Sequence, residues 1–178
     1  MRDLELQSAD AESATLRFLA GHQDCEALKE FREGLRLLSN SYPARALIHF
    51  MRASEREPSN PYFTSYVGLS VALAHGKWKE GVELCESALR LKRNVPQLHL
   101  NLAQVHLSAG NRELAYETLV AGMRFTARDL RLARALERLG VRRAPLFPFL
   151  KRSNPLNRYA GRVRHVTGKL LHLGRRRP

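Results

Sequence analysis

Long apolar runs, paired cysteines and metal-ligand spacings are all missing from this sequence, and each absence removes a class of protein. No stretch approaches the roughly 18 apolar residues needed to cross a bilayer; the densest, residues 144–150, holds two prolines. A membrane-spanning chain is therefore excluded. Cys25 and Cys85 are the only cysteines, too few for a disulfide scaffold and without metal-ligand spacing. The first residues, Met1-Arg2-Asp3-Leu4-Glu5, mix charges and lack a secretory core, and Ser, Ala and acid together argue against a transit peptide. The expected location is the cytoplasm. There is no glycine-rich phosphate loop, no serine elbow and no paired-carboxylate pattern, so neither catalysis nor a cofactor is expected. His99 and His106 lie two turns apart on one helix, about 10 Å along its axis, too far for one ion without other ligands. Cys85 falls at a helix-packing position, where a free thiol behaves as a small apolar side chain.

Acid is missing too, but only from one end. After Glu137 there is no Asp or Glu, while residues 141–178 carry 11 cations in 38 positions. The net charge of +13 belongs almost entirely to that segment, because the first 140 residues balance to +2. With 44% apolar residues the chain can build a core. It reads as a nearly neutral domain followed by a basic tail.

What is present is a repeat. The run Gly76-Lys77-Trp78-Lys79-Glu80-Gly81 through Ala88 lies 34 residues before Gly110-Asn111-Arg112-Glu113-Leu114-Ala115 through Gly122. Three segments align: 27–60, 61–95 and 96–128. Each reads as two helices joined by a tight turn, with apolar residues at three- and four-residue spacing around a Gly or Pro. Leu98, Leu102, Val105 and Leu107 mark the first helix of the third unit, Gly110 its end, and Asn111 the cap of the next. Pro43 suits a first helical turn and Pro58 closes the helix that follows.

Small residues fall where two helices of each unit would cross: Gly34 and Ala46, Gly68 and Gly81, Ala103 and Ala115, with Phe50, Cys85 and Leu119 four residues after the second of each pair. In these positions the chain resembles the tetratricopeptide repeat family. The resemblance covers about residues 27–128. It departs from the pattern in lacking an early aromatic in each first helix and a closing Pro in units two and three. One extra residue between Gly68 and Gly76 suggests a register shift in the second unit. The resemblance implies an all-α, right-handed solenoid of antiparallel helix pairs, capped at both ends. The front cap is read in residues 1–26, through Leu16, Phe18 and Leu19. The back cap is a helix within 129–140, opened by a Thr126/Asp129 capping box.

Residues 141–178 read as a Pro-containing strap followed by a basic amphipathic helix. Phe147, Phe149 and Leu150 either fold back over the last helix pair or insert into a partner. The helix opened by Asn154-Pro155 has three readings open: a cap, a phosphate grip, or an anionic membrane contact. Arg158, Arg162, Arg164, His165 and Lys169 take its polar faces, and Arg175, Arg176 and Arg177 end the chain's basic run. Ahead of it Arg124, Arg128, Arg131, Arg134 and Arg138 keep helical spacing, on one side if the helix restarts in register, forming a basic surface or a solvated face. No base-reading motif accompanies them, so nucleic-acid binding here would be phosphate-driven and salt-sensitive.

The family's groove positions map onto Leu28, Phe31, Leu35 and Leu38, then Tyr62, Ser65, Leu69 and Leu73, then Gln97, Leu100, Gln104 and Leu107. The lining is mostly apolar. The Lys and Asn residues that the family uses to clamp acidic C-terminal peptides are not found. The resemblance thus implies a non-enzymatic adaptor that holds a peptide or helix of another protein, apolar rather than acid-tailed. Two alternatives stand beside it: an electrostatic tether whose basic C-terminal segment binds nucleic acid or anionic lipid, and a three-repeat export-type chaperone.

Overall fold

A computed structural model of the chain describes residues 25–140. The front cap read in residues 1–26 lies almost wholly outside the described residues, and the strap, the basic amphipathic helix and all its cations lie outside entirely. Among the described residues seven α-helices follow one another: α1 (Cys25–Ser39), α2 (Pro43–Arg56), α3 (Pro61–His75), α4 (Trp78–Leu91), α5 (Pro96–Ser108), α6 (Arg112–Phe125) and α7 (Leu130–Leu139). No strand occurs among the described residues. Connections of two to four residues force consecutive helices into hairpins. The result is an α-solenoid of three helix pairs followed by a single helix.

Helix starts and stops have local causes. Pro43, Pro61 and Pro96 each open a helix, where a fixed φ is pre-organised and the absent N–H is not missed. The Asn60 carboxamide oxygen accepts from the Tyr62 amide at 3.1 Å and so caps α3. Gly76 and Gly110, at φ 65° and 80°, turn the chain out of α3 and α5 in the left-handed region. Ser41 makes the corresponding turn after α1 without glycine, at φ 64°.

Two sequence expectations are corrected at helix ends. Asn111 stands at the start of α6, but its side chain makes no capping bond. Thr126 and Asp129 do not form a capping box: the Thr126 hydroxyl donates back to the Gly122 carbonyl at 2.8 Å. Asp129 alone caps α7, its Oδ1 accepting from the Arg131 amide at 2.8 Å. The break comes from Ala127 and Arg128, both left-handed at φ 48° and 60°, which separate the two residues of the expected box.

Packing depends on small residues at the crossings. A β-carbon on Gly81 would lie 2.7 Å from the Gly68 carbonyl oxygen and 2.8 Å from the Ala72 β-carbon, so α3 and α4 meet backbone to backbone. Gly34 sits under the Phe50 ring in the same way. The extra residue of the second unit does not shift its first helix. Gly68 follows Pro61 by seven positions just as Ala103 follows Pro96, and α3 lengthens only at its C-terminal end.

The core divides along α5. One cluster joins α1 through α5 around Phe31, Phe50, Phe63 and Tyr66, whose rings stand 4.9–5.4 Å apart in tilted and edge-on contacts. The other joins α5, α6 and α7 through Leu100, Ala103, Ala115, Leu119, Leu132, Ala135 and Leu139. Helix α5 serves both, so residues 97–106 are buried without a break.

Candidate functional site

Each first helix, α1, α3 and α5, contributes four of the twelve residues mapped to a groove, and the structure distributes them unevenly. Phe31, Leu35, Leu38, Tyr62, Ser65, Leu69, Gln97, Leu100 and Gln104 are buried. Phe31 belongs to the aromatic cluster between the first two hairpins, and Leu100 to the cluster under α7. Only Leu28, Leu73 and Leu107 stay partly open. The apolar row that reads as a lining in sequence is therefore largely spent on the fold, because solenoid helices bury neighbours on both flanks as well as beneath.

Polar groups run through the same row. Gln97 Nε2 donates to Asn101 Oδ1 at 2.9 Å, Asn101 Nδ2 donates to Ser65 Oγ at 3.0 Å, and the Cys85 thiol donates to the Ser65 carbonyl at 3.4 Å. This chain of bonds stitches α5 to α3 and α4. Ser70 Oγ, Gln97 Oε1 and Gln104 Oε1 are buried without a hydrogen-bond partner among the described residues. Such an atom costs on the order of 1–3 kcal/mol where water does not reach it, and two of the three lie on α5.

Titratable groups here are held neutral by burial. The Cys85 thiol is pushed up to about 12, chiefly by desolvation, and so is a packing group rather than a nucleophile. Desolvation lowers His99, and a neutral ring donates from Nε2 to the Arg93 carbonyl at 2.8 Å. Desolvation lowers His106 as well, opposed by the charge of Glu86. The described residues contain no group of three or more His, Cys, Asp or Glu able to hold a metal ion. None of their helices is long and apolar enough to cross a membrane. Burial raises the Tyr62 hydroxyl to about 12, against the charge of Arg131.

The basic stripe is split. Arg124 lies in the last turn of α6, Arg128 in the left-handed turn, and Arg131, Arg134 and Arg138 belong to α7. Arg131 is folded onto Asp129 at 3.1 Å and is not a free surface charge. Sequence reading missed where apolar side chains remain exposed. Among the described residues the large ones, such as Ile48, Met51, Leu91, Leu114, Tyr116, Phe125 and Leu130, lie on α2, α4, α6 or α7, apart from Tyr42 in the connector before α2. None of the exposed large apolar side chains lies on a first helix. The available signal was the 34-residue spacing of Leu91 and Phe125.

Residues 72–139, from the last turn of α3 through α7, match the family model of the tetratricopeptide repeat. Solved structures share the architecture. The first TPR of Spaghetti (RPAP3) bound to an HSP90 peptide is 13% identical over 64% of this chain and 92% of that one, with a TM-score of 0.52. The first TPR domain of human RPAP3 is 13% identical over 64% and 89%, with a TM-score of 0.53. The TPR2AB domain of yeast Sti1 in its pHSP90 complex is 18% identical over 73% of this chain and 50% of that one, with a TM-score of 0.55. No curated protein matches the chain in sequence.

Proposed function

We propose, from the premise that the chain carries tetratricopeptide repeats, that it is a non-enzymatic adaptor holding an apolar peptide or helix of another protein on the face built by its first helices. The observation that carries the reading is the pair Leu73 and Leu107. They lie in the last turns of α3 and α5, 34 residues apart, and with Leu28 of α1 stay partly open while the other nine residues of the row are buried. Repeated open leucines on successive units suit a partner that runs along the stack. The HSP90 peptides of the neighbouring structures support a peptide ligand as a class. The missing Lys and Asn clamp favours an apolar partner over an acid-tailed one.

The test is affinity capture from nuclease-treated native lysate, comparing the full chain, a chain ending at Gly140 and the Leu73→Asp/Leu107→Asp variant. A defined protein retained by the first two and lost from the third is the expected result. Retention that the substitutions leave untouched overturns the assignment of the face. A second reading rests on the 11 cations in residues 141–178: an electrostatic tether to nucleic acid or anionic lipid. It predicts retention that needs the tail and falls steeply between low and moderate salt.

A further inference from the structure

The edge where α4 and α6 end combines exposed apolar side chains with exposed cations. Leu91 closes α4 at 62% exposure, Phe125 closes α6 at 49%, and Leu130 opens α7 at 71%. His99, in the first turn of α5, links the connector after α4 to the end of α6. Its Nε2 bonds the Arg93 carbonyl at 2.8 Å, and its ring stacks on Phe125 with centroids 6.3 Å apart and planes 7° from parallel. The cations Arg93, Arg124 and Arg128 are exposed and form no ion pair among the described residues. The nearby acid, Asp129, is already committed to Arg131 and to capping α7. The turn that carries Arg128 is fixed by its amide donating to the Met123 carbonyl.

We propose that this edge docks an acidic amphipathic segment of a partner protein, its apolar side chains on Leu91, Phe125 and Leu130 and its carboxylates on Arg93, Arg124 and Arg128. Guanidinium forks match carboxylates in geometry and in charge. Nucleic acid fits less well, because two of the three apolar contacts are leucines without a stacking face. A second copy using the same edge brings the same three cations face to face. None of the twelve first-helix residues takes part, so this surface is independent of the one proposed above.

The test is a residue-resolved NMR titration of the isotope-labelled full chain with a synthetic helical peptide bearing Leu and Phe on one face and Glu on the other. The same peptide with Lys replacing Glu, and a single-stranded oligouridylate, complete the set. The expected result is shift changes gathered at residues 91–93 and 124–130, with no response to the Lys peptide. Binding should weaken at least about tenfold in Leu91→Ser/Leu130→Ser and in Arg93→Glu/Arg124→Glu. Helix content by circular dichroism should match the parent, since these side chains are exposed; where a variant loses helix, the shift map of the parent decides. Three outcomes overturn the proposal: no binding of the Glu peptide, shifts confined to residues 141–178, or the edge responding to the oligouridylate and not to the peptide.

Discussion

At the scale of single residues, the same side chain can be read as lining or as core, and Phe31 separates the two. It is fully buried and touches Phe50, Phe63 and Tyr66. Phe31→Ala should therefore cost about 3–5 kcal/mol of stability, measured by denaturant unfolding; an unchanged midpoint would return Phe31 to the binding face. His99 sets a pH dependence. Its folded pKa is depressed by burial, so the unfolded chain binds the proton more readily and stability rises with pH through that window. The contribution is complete above the unfolded pKa of about 6.5 and is lost as pH falls toward the folded value. Thermal midpoints should thus fall between about pH 7 and pH 5, and His99→Asn should flatten the slope whatever it does to the absolute midpoint. A slope as steep in the variant as in the parent would reassign the effect to another group.

At the scale of elements, helices and their crossings were legible and their surfaces were not. Glycine and alanine at fixed offsets identify crossings because a β-carbon at Gly68 or Gly81 has no room against the facing backbone, a constraint that leaves its mark on sequence directly. Gly81→Leu should destabilise by about 1–3 kcal/mol through overpacking. An unaltered melting midpoint would mean that the α3–α4 crossing lies elsewhere. Exposure leaves no such mark. Leu35, Leu69 and Leu100 read like Leu73 and Leu107, but only the packing of flanking helices decides that the first three are buried. Helix α7 shows the same limit. Its apolar face was readable from Leu132, Leu136 and Leu139, whereas the left-handed pair Ala127 and Arg128 that sets its start was not, because neither residue type announces a positive φ.

At the scale of the whole molecule, a stack of repeats is only as stable as its last interface, since each unit contacts its neighbours alone. Helix α5 faces that problem most sharply: it shares one side with the aromatic cluster and gives Leu100 and Ala103 to the other, which α7 closes with Leu132, Ala135 and Leu139. Comparing a chain that ends at Gly140 with one that ends at Arg128 isolates this closure. Both lack residues 141–178, and only the shorter one lacks α7. Burial of two leucines is worth about 3–6 kcal/mol, so the shorter chain should melt at least about 10 °C lower. Its amide exchange should accelerate first in α5 and α6, with α1 to α3 affected least, because the aromatic cluster does not depend on α7. Equal protection of α6 in the two chains would show that the third hairpin holds itself together, and that α7 rests on the stack without supporting it.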